Sequence, residues 1–182
     1  METKLAREVM IPVERYVTVH EEDSLFDVIQ ALESSKVANK GRAHRDAVVV
    51  DEEGKFIGKV TMIDIFRALE PNYKKSNVDE IIAGGKGELT EDMITAATKD
   101  FDFWVAPAKT ICERGQASKV SEIMHVPTAR EFVREEESIE KALHLCVLGA
   151  HQPLIVKKGE TVTGLLRFGD IFEVIRETLL TC

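Results

Sequence analysis

The chain has 182 residues, of which 44% are hydrophobic, and its formal net charge is −8. This length and composition are sufficient for a real apolar core, as one compact unit or two small ones. The negative charge argues against a nucleic-acid partner, because a phosphate backbone is usually met by a basic face.

The cellular compartment is predicted from the cysteines and from the apolar stretches. Cys112, Cys146 and Cys182 are odd in number and widely spaced, which favours neither a disulfide framework nor a zinc site. No stretch approaches the apolar length that spans a bilayer, and residues 1–5 do not lead into a signal-peptide core. We therefore expect a cytoplasmic protein with no membrane partner.

Taken in chain order, the first seventy residues predict alternating helices and strands. They indicate a helical turn at residues 5–10, a brief strand at 16–19 and a helix capped by Ser24 or Asp23. The apolar residues of that helix fall at i, i+3, i+4 and i+7 and form one stripe, which consists of Leu25, Val28, Ile29 and Leu32. Strands at 47–50 and 56–60 follow, joined by a turn, and a helix at 64–69 ends before Pro71.

The last strand of this region turns sharply into its helix over residues 58–64. Thr61 and Asp64 have the spacing of an N-cap and an N3 residue. Free N–H groups and the helix dipole favour an anion there, and Gly58, which has no side chain, would let a flat ligand approach the strand. Thr61 would donate to a phosphate oxygen and Asp64 would accept from ribose hydroxyls. An ordinary capping role accounts for the same two residues, so both interpretations stay open.

The same order of elements returns near the C-terminus as an internal repeat. Val9-Met10 is matched by Ile123-Met124, and the junction returns as residues 164–170, with Asp170 in the place of Asp64. The offset decreases along the repeat, which predicts a short insertion near residues 39–44. In the second copy Ser138 caps a helix whose stripe is Ile139, Ala142, Leu143 and Cys146, and a last helix presents Ile171, Phe172, Ile175 and Leu179. We interpret Cys146 as a small buried hydrophobe rather than a reactive thiol.

The segment between the repeats predicts a mainly helical insertion. Residues 84–87 are typical of a flexible turn rather than a phosphate loop, and Thr90 caps a helix with one apolar face. The aromatic group Phe101, Phe103 and Trp104 suggests that this helix docks, either on the module itself or on a partner. The segment would alternatively cover a ligand cleft as a lid.

This β-α-β-β-α order, repeated and ending in Gly-x-hydrophobic-Thr-x-x-Asp, resembles the cystathionine β-synthase (CBS) domain, present as a tandem pair. The resemblance implies an α/β (α+β) fold in which two repeats pack about a pseudo-twofold axis. We place CBS repeat 1 at residues 3–70, the helical segment at 71–116 and CBS repeat 2 at 117–181. It further implies a stand-alone regulatory module that binds AMP, ADP, ATP or S-adenosylmethionine between the repeats, forms a homodimer and signals to an unidentified effector protein.

Site residues follow from the resemblance by motif position. It implies that Asp64 holds the ribose, that Thr61 holds a phosphate and that Ala47 and Val48 hold the adenine through their backbone. The lining residues of the implied sites are Val13, Thr18, Gly58, Pro153, Leu154, Arg167 and Asp170. Arg167 replaces the usual threonine or serine in the second copy, where it would either contact phosphate or fold across the cleft and close it.

The histidines and the catalytic residue types complete the sequence predictions. His151 and His44 precede equivalent strands. His151 would either line the ligand pocket or be a solvated or core histidine, and His44 would either take the similar place in the first repeat or lie in a surface loop. The five histidines have no metal-ligand spacing and no serine lies in a nucleophile elbow, so we expect neither an enzyme nor a required cofactor. A structural or dimerisation module with empty or degenerate clefts is the alternative function.

Overall fold

A computed structural model describes residues 4–38, 44–69 and 108–181, and the following account concerns these residues. The first repeat consists of α1 (Ala6–Val9), β1 (Ile11–Pro12), a 3₁₀ turn (Val13–Arg15), β2 (Thr18–His20), α2 (Leu25–Ala38), β3 (Ala47–Val50), β4 (Phe56–Val60) and α3 (Met62–Leu69). The second part consists of α4 (Ala108–Ala117), α5 (Val120–Ile123), a 3₁₀ turn (Ala129–Glu131), β5 (Phe132–Arg134), α6 (Ile139–Val147), β6 (Leu154–Lys158), β7 (Thr161–Leu166) and α7 (Phe168–Leu180). The predicted α/β fold with two β-α-β-β-α repeats is confirmed. The predictions for residues 39–43, 84–87 and 90–104 lie outside the described residues.

Two sheets follow from this order. In the first, β3 is central, with β2 parallel on one side and β4 antiparallel on the other. In the second, the order is β1-β7-β6-β5, with β5 and β6 parallel and β7 antiparallel to both of its neighbours. The parallel pairs are connected through α2 and α6, since parallel neighbours need a crossover. Within the described residues, no helix has the length and apolar character that crossing a membrane requires.

Each repeat contributes its leading segment to the other repeat. β1 belongs to the first repeat in sequence but pairs with β7 of the second, where Ile11 lies opposite Leu165. In the reverse direction, Lys59 of β4 exchanges two backbone hydrogen bonds with His125, at 3.1 and 2.8 Å. Ala6 is buried in the core of the second repeat, and Val120 is buried in the core of the first. The two repeats are therefore interlocked, and neither core is complete without the other repeat.

The equivalent places of the two junction glycines in the repeats have a packing reason in this exchange. A Cβ atom at Gly164 would lie 2.6 Å from Met10 Sδ and 2.7 Å from Ile11 O. At Gly58 it would lie 3.0 Å from His125 O and 3.1 Å from the Met124 sulfur. The crossing chain therefore fills the space beside each glycine. The role of Gly58 towards a ligand stays a prediction.

The helix caps and most of the apolar stripes are confirmed. Ser24 and Ser138 cap their helices through their hydroxyl groups. Leu25, Val28 and Leu32 are buried as predicted, but Ile29 is 44% exposed, because it lies one residue round from Val28 on the solvent side. In the second repeat Ile171 is buried, whereas Phe172 and Leu179 are exposed. Cys146 packs against the second core, and burial raises the pKa of its thiol, in agreement with its interpretation as a small hydrophobe.

The two faces of β3 contact different cores. Ala47 and Val49 pack under α2 within the first repeat. Val48 and Val50 point the other way and pack with Tyr16 and with Leu165 of the second repeat. This shared cluster brings the two sheets together, and it places the strand–helix junctions of the repeats at their mutual boundary.

Candidate functional site

The first junction is a buried cap in which the Asp64 carboxylate reaches back to Thr61. Thr61 follows β4 directly, and its backbone N–H and its hydroxyl donate to Asp64 Oδ2 at 2.9 and 2.6 Å. Both side chains are about as buried as core residues, with Asp64 only 5% exposed. Although burial opposes ionisation, the contacts with His151 and Thr61 lower the pKa of Asp64 below its usual value. The junction therefore carries a fixed negative charge at neutral pH.

The second oxygen of Asp64 faces the other repeat. The basic groups near Oδ1 include His151 Nε2 at 3.6 Å and Arg67 Nη1 at 3.9 Å. The imidazole of His151 stacks on that of His125, with centroids 3.9 Å apart and planes 7° apart. Both ring nitrogens of His151 are buried without a hydrogen-bond partner within the described residues. Asp64 Oδ1 thus lies beside a histidine whose hydrogen-bonding capacity is unused.

A buried ion pair fixes the loop that carries His151. Lys59 Nζ lies 2.7 Å from Glu131 Oε2 and donates to the carbonyl oxygens of His151 and Pro153, each at 2.7 Å. Burial lowers the pKa of Lys59, and Glu131 opposes that shift. Burial acts against ionisation of Glu131 too, but Lys59, the Thr128 N–H group and His125 lower its pKa to about 2. The ion pair therefore joins β4 of the first repeat to the β5 and β6 region of the second.

Three potential metal ligands meet beside this pair. One ligand atom each from His125, Glu131 and His151 lies within 4.8 Å of the others. The Lys59 ammonium group already neutralises Glu131, and His125 Nε2 is 2.8 Å from the same carboxylate. Because the two imidazole rings lie in nearly parallel planes, their in-plane lone pairs do not converge on one point, as a tetrahedral ion requires. The arrangement is that of a hydrogen-bonded ion pair.

The second junction has the same backbone but a different side-chain arrangement. Arg167 Nε donates to Asp170 Oδ2 at 2.7 Å, and Nη2 donates to Oδ1 at 2.9 Å. These hydrogen bonds raise the pKa of Arg167. On the first-repeat side, the Tyr16 hydroxyl donates to Asp46 Oδ1 at 2.6 Å, and the Tyr16 ring lies 4.7 Å from that of His44. The guanidinium group is thus folded onto the acid of its own junction.

Comparison with known proteins agrees with this architecture. Residues 6–71 match the family model described as the CBS domain. The first repeat is a CBS domain. No curated protein was found to be similar to the chain in sequence.

Solved structures show that the whole chain has the fold of a CBS pair. The CBS-pair protein CBSX2 from Arabidopsis thaliana is 17% identical, with a TM-score of 0.60 and 97% of each chain covered. A structure of CBSX2 in complex with AMP is 15% identical, with a TM-score of 0.55, and covers 96% of this chain and 97% of that one. The CBS domain of a CBS domain-containing membrane protein from Sphaerobacter thermophilus is 19% identical, with a TM-score of 0.57, and covers 94% of this chain and 87% of that one.

The remaining predicted site residues lie in different parts of the two repeats. Val13 packs against the cluster that contains Tyr16 and Leu165. Thr18 is exposed on β2, and Ala47 is fully buried in the central strand. Pro153 is tied to the Asp64 side through Lys59, whereas Leu154 lies in the core of the second repeat.

The backbone N–H of Val48, which the resemblance assigns to the adenine, already makes a hydrogen bond. The Val48 N–H group donates to Val17 O at 2.8 Å, within the sheet. An adenine that takes this donor would have to break the bond between β2 and β3. The ligand contacts of all these residues stay predictions.

Sequence reasoning missed Lys59, His125 and Glu131. A signal for two of them was available in the repeat alignment. Lys59 takes the place that Leu165 has in the second CBS repeat, and Glu131 takes the place that Val17 has in the first. A charged residue of each sign therefore replaces an apolar residue at boundary positions, which is the pattern of a buried pair. No comparable signal marks His125, whose counterpart is Ile11.

Proposed function

We propose that this chain is a regulatory module that binds an adenosine-containing nucleotide at the Asp64 junction and passes its occupancy to a partner protein. The observation that carries the proposal is the state of Asp64, a buried carboxylate with a lowered pKa. Its Oδ2 is fixed by Thr61, while Oδ1 has basic groups at 3.6 and 3.9 Å, beyond ordinary hydrogen-bonding distance. The AMP complex of CBSX2, which has the same fold, supports the class of ligand.

The chemistry of Oδ1 suits the vicinal hydroxyls of a ribose. Two hydroxyl donors on a carboxylate oxygen form charge-assisted hydrogen bonds, which are stronger than neutral ones. The N-terminus of α3 and the nearby Arg67 guanidinium would meet a phosphate. AMP, ADP, ATP and S-adenosylmethionine share the adenosine part, and these positive groups favour the phosphate-bearing members of that set.

Signalling would use the contact between Asp64 and His151. Asp64 belongs to the first repeat and His151 to the second, so the contact spans the boundary between them. A ribose bound at Oδ1 would replace the imidazole and remove one of the contacts that hold the loop at residues 151–153. The ligand shifts the arrangement of the repeats only as far as it prefers one arrangement to the other.

The proposed role is regulatory and needs no catalytic step or cofactor. CBS domains are typically regulatory modules, and the acids of both junctions serve as helix caps or ion-pair partners. Turnover of ATP by the purified protein, absent from the Asp64→Ala variant, would contradict this part of the proposal.

Calorimetric titration of the purified protein with AMP, ADP, ATP and S-adenosylmethionine tests the proposal. We expect saturable binding of at least one ligand, and its loss by a factor of about ten or more in Asp64→Ala, since a charge-assisted hydrogen bond is removed. Asp27 offers a matched control, because it accepts from the Ser24 N–H and hydroxyl at the same 2.9 and 2.6 Å. Asp27→Ala should lose an exposed helix cap and keep the affinity. Equal affinities of both variants and the wild type would refute ligand binding at Asp64.

A structural or dimerisation role is the second candidate, and the exposed apolar residues of α3 and α7 favour it. Met62 and Phe66 on α3 and their counterparts Phe168 and Phe172 on α7 are all about half exposed. Contiguous apolar surface of this kind is typical of an interface. A homodimer through these faces is compatible with ligand binding. The structural role would therefore be the only remaining candidate function if the titration above detects no binding.

A further inference from the structure

The two junctions hold equivalent places in the repeats, yet their acids are engaged differently. Asp64 and Asp170 each lie at the third residue of a helix that follows a strand, three residues after Thr61 and Arg167 respectively. Asp64 uses one oxygen for the cap and keeps the other oriented towards the second repeat. Asp170 has both oxygens hydrogen-bonded by one guanidinium group.

The Arg167–Asp170 contact has the geometry of a strong ion pair. Two parallel N–H donors meet two carboxylate oxygens at 2.7 and 2.9 Å, which is the bidentate arrangement that arginine forms best. The contact is local, spanning three residues, so its formation requires little additional ordering of the chain. Arg167 itself makes no side-chain cap for α7, since its donors are directed to the carboxylate.

The charges around Arg167 disfavour a phosphate at this junction. Asp170 neutralises the guanidinium, and Asp46 adds a second carboxylate on the first-repeat side. Beside Asp46 lie Tyr16, whose neutral hydroxyl is bound to that acid, and the buried imidazole of His44. The balance of formal charge is one cation against two acids. Arg167 therefore does not make the second junction more attractive to an anionic ligand.

We propose that Arg167 is an internal occupant of the second junction, which holds Asp170 closed to a ribose and leaves one working nucleoside site per chain. The guanidinium group stands where ribose hydroxyls would donate, and it makes the same pair of charge-assisted hydrogen bonds with the carboxylate. An external nucleoside must break this intramolecular pair before it binds. The inference rests on the proposed function for its ligand class, and it assigns the difference between the two sites to one residue.

The test is the number of binding sites in Arg167→Thr, which restores the Thr-x-x-Asp pattern of the first junction. Adenosine is the first probe, because an uncharged ligand avoids repulsion from Asp46 and Asp170 once the cation is gone, and AMP is the second. We expect one equivalent of adenosine per wild-type chain and two per variant chain, by calorimetry. In the background of Asp64→Ala, the substitution should raise the stoichiometry from zero to one.

Arg176→Thr is the matched control, since Arg176 makes the same kind of i,i+3 pair with Glu173 further along α7. It should leave the stoichiometry at the wild-type value. Circular dichroism establishes that each variant is folded, and Arg167→Gln, which keeps an unbranched polar side chain but is shorter and uncharged, replaces the threonine variant if that one does not fold.

The outcomes separate this inference from the proposed function. One additional equivalent in the Arg167 variants supports the inference, whatever the wild type binds. The same stoichiometry in the folded variants and the wild type overturns it. If the wild type binds no ligand and Asp64→Ala behaves identically, the proposed function is refuted. The inference is then still decided by comparing the Arg167 variants with the wild type.

Discussion

Lys59 and Glu131 form an ion pair with an N–O distance of 2.7 Å at the boundary of the two repeats, and both side chains are buried. The pseudo-equivalent position of Lys59 is Leu165, which packs with Tyr16, Val48 and Val50. Equivalent positions of the two repeats are thus occupied by an ion pair on one side of the boundary and by apolar side chains on the other. The charged solution connects to the candidate ligand site, because Lys59 also holds the carbonyl groups of His151 and Pro153.

Replacing Lys59 by leucine should destabilise the protein by about 3–5 kcal/mol, because Glu131 is then a buried charge without its partner. Replacing both members by the residues of the other repeat, in the double variant Lys59→Leu with Glu131→Val, should recover most of this loss. Urea unfolding followed by circular dichroism measures the free energies. The exposed pair of Lys119 with Glu22 provides the control, and Lys119→Leu should change stability far less than Lys59→Leu does. A double variant as unstable as the single one would refute the view that the pair is replaceable.

Lowering the pH should remove the contribution that ionised Glu131 makes to the free energy of unfolding. The pKa of Glu131 is lowered from 4.5 to about 2 in the folded protein, so its contribution is fully present above about pH 4.5 and is lost as the pH falls towards 2. The pKa of Asp64 is lowered as well and acts in the same direction. Unfolding free energies measured across this range should fall steeply for the wild type. The double variant without Lys59 and Glu131 should have the smaller slope, and identical slopes would contradict the assignment to Glu131.

Local sequence patterns predicted the helices and strands. The residues that sequence reasoning missed are those that make contacts between the repeats. Ser24, Ser138 and the Thr61–Asp64 spacing are caps that depend on residues three positions apart, so the sequence contains the whole interaction. His125 meets Lys59 through backbone pairing over a separation of 66 residues, and no periodicity reports such a contact. In the same way, Val13 packs with Tyr16 and with Leu165 of the other repeat, a contact that no local spacing reports.

The exchange of leading segments should make Gly164 intolerant of a side chain. Gly164→Ala places a Cβ within 2.7 Å of the Ile11 carbonyl, a backbone atom that moves only with β1, so we expect a loss of about 1–3 kcal/mol. Gly169 in the first turn of α7 has open space around its Cβ position and is the control. Gly169→Ala should stabilise by about 0.5–1 kcal/mol, because alanine has the better helix propensity. Thermal unfolding of both variants measures the difference, and a neutral Gly164→Ala would show that β1 is not held tightly against β7.

Self-association through α3 and α7 should depend on the two equivalent phenylalanines. Phe66 and Phe172 are 54% and 58% exposed, one turn beyond Met62 and Phe168 on the same faces. Phe66→Glu combined with Phe172→Glu would bury unpaired carboxylates in a dimer interface, so we expect the double variant to sediment as a monomer at concentrations where the wild type is a dimer. Val147, which is also exposed but lies on α6, is the control, and Val147→Glu should keep the wild-type mass. If the double variant remains a dimer, the interface lies elsewhere. If the wild type is a monomer, these faces contact a different partner.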